Sequence, residues 1–273
     1  MTIRICVAGV TGWTGSAVAA AVLASKEFDL VAGIARKRAG EDLGTVLGGA
    51  PLGVPIAPDL ATALETPFDV LIDFTKPDSV KARILATLAA GRHAVIGTSG
   101  LTAADFLDLE AAALSHGRGL IAAGNFSITA ALAKHCALLA ARFLPSCEII
   151  DYAHADKVDA PSGTAMELAE MIGAIRPSAL EVDLDQIHGA PQARGARLGE
   201  TQVHSVRLPG FVIAFETIFG LPHERLSIRH DAGSGAEPYV AGSLLAAREV
   251  MNLKGLIRGL DTLLFKGGGA PAL

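Results

Sequence analysis

The segment from His154 to Thr164 contains side chains that can bind an anion and transfer a proton. Lys157 carries an ammonium group that can offset negative charge and donate a proton, and His154 can bind an anion or relay a proton. Ser162, Gly163 and Thr164 open a predicted helix, so their hydroxyls and N–H groups can hold a carboxylate. An ordinary capped helix with a surface lysine is the structural alternative.

A glycine-rich turn near the N-terminus is the second candidate site. Gly9, Gly12 and Gly15 follow a predicted strand and open a predicted helix, which lets the backbone approach a pyrophosphate at a helix N-terminus. The spacing is GxxGxxG rather than GxGxxG, and a plain strand-to-helix turn is the alternative. Trp13 is interpreted as a packing or rim residue. The predicted dinucleotide contacts here are Gly9, Thr11, Gly12, Trp13, Thr14 and Gly15.

Basic residues follow the second predicted strand. Ala35 occupies the place where NAD-preferring proteins usually carry the Asp or Glu that binds the ribose 2′-hydroxyl. Arg36, Lys37 and Arg38 come next, and guanidinium and ammonium groups suit a 2′-phosphate. We therefore expect NADPH as the preferred cofactor, with NADH possible, and contacts from Arg36 and Lys37. A solvated basic loop is the alternative.

Two more loops follow predicted strands of the same sheet. Phe74 and Thr75 lie after one strand, and Gly97, Thr98 and Gly100 lie after the next. Small and hydroxyl-bearing residues at the carboxyl ends of parallel strands leave room for a ribose and a nicotinamide. Each loop alone is a weak signal, so both depend on the glycine-rich turn for their interpretation.

The elements that must position these residues alternate between strands and helices in the first half of the chain. This alternation predicts an α/β fold with a Rossmann-like, doubly wound parallel sheet. The predicted strands are Ile3–Ala8, Phe28–Ile34, Val70–Phe74, His93–Ile96 and Leu120–Ala122. The predicted helices are Gly15–Ser25, Ser79–Ala90 and Ala103–His116.

A change of pattern near Asn125 predicts a second, α+β domain with a mostly antiparallel or mixed sheet. A helix over Ser127–Phe143 precedes longer, half-polar strands, and the segment Arg176–Gly199 is predicted to be irregular. We expect residues 1–126 and 239–273 to bind the dinucleotide, and residues 127–238 to bind substrate and form oligomers. The predicted strands are Cys147–His154, Gln202–Leu208, Phe211–Gly220 and Arg225–His230, and the predicted returning helices are Tyr239–Met251 and Leu256–Leu264.

Composition limits the remaining classes of function. The 273 residues carry a net charge of −5, which argues against a general nucleic-acid or membrane-surface binder. The three cysteines lack metal-ligand spacing, so no metal site is expected. The first residues enter a strand directly and no long apolar run follows, which favours a cytoplasmic protein without a membrane segment.

Six motifs carry a resemblance to a known family. VAGVTGWTG, IDFTKPDSV, VIGTSGL, AAGNFS, KVDAPSGTA and VHSVRLPG occur in the order found in the 4-hydroxy-tetrahydrodipicolinate reductases (dihydrodipicolinate reductases) of lysine and diaminopimelate biosynthesis. The resemblance implies hydride transfer from NAD(P)H to a cyclic imine dicarboxylate by a homotetramer. It also implies that Asn125 and Phe126 lie near the nicotinamide, that Lys157 is the proton donor, and that residues 162–164 hold a carboxylate.

The chain departs from the family pattern at several charged positions. Ala153 replaces the first of two adjacent histidines, so only His154 remains of the pair. Asp231 and Gly235 stand where the family has basic residues after the position of His230. These departures keep two alternatives open: a divergent NADPH-dependent imine or keto-acid reductase of another pathway, and a catalytically silent NADPH-binding regulatory protein.

Overall fold

The computed structural model describes residues 2–265, which divide into two compact units. The first unit comprises the residues up to Ile128 together with those from Ala236 onward, and the second comprises Thr129–Gly235. The sequence pattern also predicts a frayed tail over Gly267–Leu273, which lies outside the described residues. Across the described residues, none of the helices combines the length and apolarity that a membrane crossing needs.

The first unit is built on a six-stranded sheet in which every paired strand is parallel, as the alternation of elements predicts. The strand order is β11-β5-β4-β3-β1-β2. The strands are β1 (Ile3–Ala8), β2 (Phe28–Ile34), β3 (Val70–Asp73), β4 (His93–Ile96), β5 (Gly119–Ala122) and β11 (Gly255–Arg258). The helices are α1 (Trp13–Ala24), α2 (Leu43–Val46), α3 (Leu60–Ala63), α4 (Pro77–Ala89), α5 (Ala103–Ser115), α8 (Val240–Glu249) and α9 (Leu260–Leu264).

Apolar burial and helix capping explain why these elements form. The strands are nearly all apolar, and Ile5, Leu71 and Val95 are fully buried, as expected for a sheet covered on both faces. Pro77 occupies the first turn of α4, where its missing N–H costs nothing. Thr102 and Asp105 form a capping box at the start of α5.

The second unit has a five-stranded mixed sheet of order β10-β9-β6-β8-β7, in agreement with the predicted second sheet. Strands β6 and β8 pair in parallel, while the other pairs are antiparallel. Helices α6 and α7 pack on one face of the sheet, where they bury Ile149, Leu168 and Phe219. The elements are α6 (Ile128–Ala141), β6 (Ser146–Ala153), α7 (Gly163–Ile175), β7 (Ala196–Leu198), β8 (Thr201–Arg207), β9 (Ile213–Leu221) and β10 (Glu224–Ala232).

Two predictions of secondary structure are wrong in part. The predicted helix Leu256–Leu264 begins as strand β11, in which Leu256 pairs with Leu120, and only Leu260–Leu264 is helical. A short apolar run fits a buried strand as well as a helix, and pairing with β5 decided the outcome. The predicted irregular segment Arg176–Gly199 contains β7 and two 3-10 turns, at Leu184–Gln186 and Pro191–Arg194.

Candidate active site

The glycine-rich loop, residues 9–15, lies where strand order reverses between β1 and β3, the usual ligand-binding place in such sheets. Gly9 has φ +81°, and a Cβ atom there would lie 2.2 Å from the carbonyl oxygen of Phe74. A Cβ at Gly15 would lie 2.1 Å from the carbonyl oxygen of Gly9. The backbone is therefore folded more tightly than any side chain would allow. This close fold leaves the start of α1 open to a phosphate group.

Exposed groups surround this loop. Helix α1 begins at Trp13 without a side-chain cap or an acidic residue in its first turn, so its first N–H groups are available to an anion. Thr11 and Gly12 are exposed and Thr14 is half-buried. The Trp13 side chain is 58% exposed, and its ring lies edge-on to Tyr239 at 5.9 Å between centroids. Trp13 thus forms part of the rim, as the sequence suggests.

The basic residues after β2 differ in how they are engaged. The backbone N–H of Gly9 donates to the carbonyl of Ile34 at 2.9 Å, which places the end of β2 beside the glycine-rich loop. Arg38 forms a salt bridge with Glu41 at 2.8 Å. Within residues 2–265, the exposed side chains of Arg36 and Lys37 form no ion pair. Two cations are therefore available to a phosphate.

A buried carboxylate joins the loops after β3 and β4. Asp73 is fully buried and accepts hydrogen bonds from the backbone N–H of Thr75 at 3.0 Å and from Thr98 Oγ1 at 2.8 Å. Arg83 on α4 donates to the other carboxylate oxygen at 3.0 Å. Thr98 Oγ1 also accepts from the N–H of Thr75 at 2.7 Å. The two loops are thus held as one surface.

Aromatic packing completes the cofactor side. The Phe74 ring lies edge-on to Phe126 at 5.8 Å between centroids, and a Cβ at Gly97 would lie 2.0 Å from the Phe74 ring. Gly100 has φ +95° and leaves space for Pro77. The side-chain oxygen of Asn125 accepts from the N–H of Ser127 at 2.8 Å. The first unit therefore brings the predicted cofactor residues together at the carboxyl ends of its strands.

The Ser162 turn, residues 161–164, presents only part of the predicted set of donors. Ser162 is 5% exposed, its N–H donates to Asp151 Oδ2 at 2.8 Å, and its hydroxyl donates to Asp151 Oδ1 at 2.6 Å. Its Oγ also accepts from the N–H of Ala165 at 3.3 Å, which caps α7. Gly163 and Thr164 are the first residues of α7, so their N–H groups have no partner within the helix. These groups are the ones left to an incoming carboxylate.

The predicted proton-transfer residues both face carboxylates. Lys157 Nζ lies 2.6 Å from one oxygen of Asp159, and His154 Nδ1 contacts the carboxylate of Asp156. The Lys157 ammonium lowers the pKa of Asp159, and the hydrogen bond from His154 lowers the pKa of Asp156. The strand ends in Ala153, which is fully buried and carries no imidazole.

The VHSVRLPG segment divides between two faces of the second sheet. His204 Nε2 lies 2.7 Å from the carboxylate of Glu148, on the face away from α7. The hydroxyl of Ser205 lies 3.4 Å from Asp151, next to the Ser162 turn. Arg207 donates to Asp151 at 2.7 Å. Sequence reasoning assigned no site role to Asp151 or Arg207, although Arg207 lies in a motif that the resemblance includes.

Family models match the whole of the described chain. The model for the N-terminal part of dihydrodipicolinate reductase matches residues 3–126, and the model for the C-terminal part matches residues 126–264. A 4-hydroxy-tetrahydrodipicolinate reductase of Desulfitobacterium hafniense is 38% identical over 96% of this chain and 98% of its own. One from Geobacillus thermodenitrificans is 39% identical over 97% of this chain and 100% of its own.

Two solved structures are similar to this chain over nearly all of its length. Dipicolinate-bound dihydrodipicolinate reductase from Paenisporosarcina sp. TG-14 superposes with a TM-score of 0.84 at 32% identity, and the match covers 97% of this chain and 100% of that one. Amine dehydrogenase from Mycobacterium smegmatis superposes with a TM-score of 0.67 at 16% identity over 96% of both chains. The second likeness concerns the fold alone.

Proposed function

Because this chain belongs to the dihydrodipicolinate reductase family, we propose that it reduces 4-hydroxy-tetrahydrodipicolinate with a nicotinamide cofactor, a step of lysine biosynthesis. The observation that carries the proposal is that both family models match, one over the part that contains the glycine-rich loop and one over the part that contains the Ser162 turn. A reductase of this kind needs both a dinucleotide site and a carboxylate site.

The first unit holds the cofactor, and NADPH is preferred to NADH. The close-packed glycine-rich loop fits a pyrophosphate, while Phe74, Thr98 and Phe126 fit beside a nicotinamide. Arg36 and Lys37, which form no ion pair in the described part of the chain, bind the 2′-phosphate, and Ala35 offers no carboxylate to a 2′-hydroxyl. When bound, the reduced nicotinamide supplies the hydride.

The second unit holds the substrate. One substrate carboxylate accepts from the N–H groups of Gly163 and Thr164, at the positive end of the α7 dipole. The hydroxyl of Ser162 remains on Asp151 and contributes by fixing the shape of the turn. This division of roles follows from the donors that are already engaged within the protein.

Proton transfer falls to Lys157. Negative charge develops on the reduced imine system, and the Lys157 ammonium neutralises it and donates a proton. Asp159 forms an ion pair with the ammonium until a substrate anion takes its place. His154 orients the substrate or relays a proton, and Asp156 fixes its ring.

A steady-state assay tests the proposal. Purified full-length protein is mixed with freshly generated 4-hydroxy-tetrahydrodipicolinate and either NADPH or NADH, and nucleotide oxidation is followed by absorbance. We expect turnover with both cofactors and a lower KM for NADPH. Tight NADPH binding without turnover of this substrate, in the presence of activity on another imino or keto acid, would show a divergent reductase instead.

We also infer a homotetramer that assembles through the second sheet. The face opposite α6 and α7 carries the half-buried Glu148, Ile150 and Tyr152 of β6, beside His204 of β8. A sheet face with both apolar and charged groups suits an interface between copies. Native mass spectrometry of the full chain should record a tetramer, and a monomer at micromolar concentration would contradict the inference.

A further inference from the structure

The Ser162 turn is built on a buried negative charge, which is unexpected for a site that must bind a carboxylate. Asp151 is 1% exposed and receives both the N–H and the hydroxyl of Ser162. An uncompensated carboxylate at this position would repel a substrate anion through a medium of low dielectric constant.

Arg207 is the group that compensates this charge. Its guanidinium donates to Asp151 Oδ2 at 2.7 Å, and its side chain is 15% exposed. The same guanidinium donates to the backbone carbonyl of Asp151 at 3.2 Å. A planar, permanently charged fork of donors can satisfy several oxygens at once, which the single ammonium of a lysine cannot do as well.

Arg207 also reaches the segment that carries the proton donor. Its Nη2 donates to the backbone carbonyl of Asp159 at 2.7 Å, and the carboxylate of Asp159 binds Lys157. One arginine on β8 thus contacts the support of the Ser162 turn and the residue that holds Lys157. Neither contact is formed by neighbours in sequence, because about fifty residues separate Arg207 from its partners.

We propose that Arg207 is a positioning residue for substrate binding: it cancels the charge of Asp151 beneath the Ser162 turn and ties that turn to the Lys157 segment. This inference rests on the proposed function, in which the turn receives a substrate carboxylate. The affinity for substrate thus depends in part on a side chain that the substrate does not touch.

If Arg207 acts by cancelling the charge of Asp151, removing both charges should restore the binding that removing one charge weakens. A purely structural role predicts no such recovery. Arg207→Gln leaves Asp151 uncompensated beside the turn, whereas the double variant Asp151→Asn with Arg207→Gln leaves no charge there. We expect Arg207→Gln to raise the Kd for pyridine-2,6-dicarboxylate at least about ten-fold, and the double variant to recover much of that loss, because contacting residues couple. The KM for NADPH should change less than about two-fold, since the hydrogen bonds of the Arg207 guanidinium go to residues of the second unit.

Arg197→Gln is the matched control. Arg197 lies on β7, with a 26% exposed side chain that binds the Glu200 carboxylate and the Ser178 carbonyl. It therefore resembles Arg207 in its bonding but not in its position, and its substitution should leave the dicarboxylate Kd unchanged.

Isothermal titration of the full chain with pyridine-2,6-dicarboxylate, in the presence of NADP⁺, measures these constants, and circular dichroism checks the fold. A folded Arg207→Gln protein with unchanged Kd overturns the inference, as does a double variant that binds no better than Arg207→Gln. If Arg207→Gln does not fold, the double variant decides: dicarboxylate binding within about ten-fold of wild type supports the inference, and its loss in a folded protein overturns it.

The same measurements separate the inference from the proposed function. Wild-type protein that binds the dicarboxylate but does not reduce the imine contradicts the proposed reaction, while the Kd series still tests Arg207. Wild-type protein that binds no dicarboxylate contradicts both.

Discussion

The cofactor loops of the first unit and the Ser162 turn of the second unit use the same support. In each, a buried aspartate at or near the end of a strand holds the following loop through hydroxyl and N–H donors, and an arginine from another element neutralises it. Asp73 pairs with Arg83 at 3.0 Å, and Asp151 pairs with Arg207 at 2.7 Å. Buried carboxylates persist only where such partners satisfy them.

The two regions differ in how they hold the cations that face a ligand. Arg36 and Lys37, beside the glycine-rich loop, form no ion pair within residues 2–265, whereas Lys157 is paired with Asp159 and His154 with Asp156. The cofactor side thus offers free charge to a phosphate. The proposed substrate residues have their cations paired, so in the proposed reaction a substrate anion would replace a carboxylate of the protein.

The largest expected effect is on kcat, and it should follow from removing the proposed proton donor of the substrate site. Lys157→Ala should lower kcat by ~10²–10⁴-fold, because positioned proton transfer contributes about that much. Stopped-flow measurement of NADPH oxidation checks this, with Asp185→Ala, an exposed position in the Leu184–Gln186 turn, as a control expected to keep wild-type kcat. A Lys157→Ala enzyme with unchanged kcat would show that the paired ammonium is not the proton donor.

Removing the arginine that neutralises the buried aspartate beneath the cofactor loops should lower the free energy of unfolding. Arg83→Met leaves the fully buried Asp73 without its cation and should reduce the free energy of unfolding by ~3–5 kcal/mol. Urea unfolding followed by circular dichroism measures the change. Lys81→Met, on the same helix, removes a cation that is 36% exposed, and it should lower the free energy of unfolding less than Arg83→Met does, because solvent screens exposed ion pairs. Equal losses in the two variants would mean that Asp73 and Arg83 are not a structural unit.

Arg36 and Lys37, which form no ion pair within residues 2–265, should favour NADPH over NADH. Arg36→Ala should raise the KM for NADPH by roughly ten-fold or more, because charge-assisted bonds to phosphate contribute about 1.5–3 kcal/mol. The KM for NADH should stay nearly constant, since that nucleotide has no 2′-phosphate. Arg38→Ala is the control, because Arg38 is already bound to Glu41. If Arg38→Ala and Arg36→Ala act alike, the distinction between free and engaged cations fails.

The smallest expected effect is on the pH dependence of stability. It compares one buried histidine in each unit. Burial lowers the pKa of His93 in the first unit and of His230 in the second below the ordinary value of 6.5. The unfolded chain therefore binds protons more readily, and stability that is present above about pH 6.5 is lost as the pH falls through and below that value.

Thermal unfolding at a series of pH values tests this. His93→Asn should weaken the acid dependence, because the amide oxygen of Asn can replace His93 Nδ1 as acceptor from the N–H of Gly119, a bond of 2.9 Å. The exposed His116 provides the control in His116→Asn, for which we expect the wild-type pH dependence. A His93→Asn protein with an unaltered acid transition would remove His93 from the explanation.

Most of the fold was predictable because local patterns specify it. Alternating strands and helices predicted the parallel sheet, and the glycines around the start of α1 predicted the tight turn that the structure shows at Gly9 and Gly15. Strand β11 was missed because its two central apolar residues, Leu256 and Ile257, fit a helix as well as a strand until the neighbouring strand β5 pairs with them. The short strand β7 was missed because its three residues lie in a segment whose Gly, Pro and charged residues predicted an irregular loop.

The site was predictable only in outline. KVDAPSGTA locates the turn and its lysine, and nothing in it indicates that the hydroxyl of Ser162 is already bonded to Asp151. Asp151 and Arg207 were missed because their partners lie far away in sequence. Asp73 and Arg83 likewise show their roles only once β3 and α4 have packed.

The sequence by itself determined which chemical groups this protein possesses, the order of most of its strands and helices, and the family to which it belongs. Those properties depend on residue types and on spacings of a few positions, where backbone geometry follows local rules. The tertiary structure decided which donors and cations are engaged and which are free. Only tertiary packing can select these partners. A hydrogen bond or ion pair forms with any suitable group that lies within about 3 Å, however far apart the two residues are along the chain.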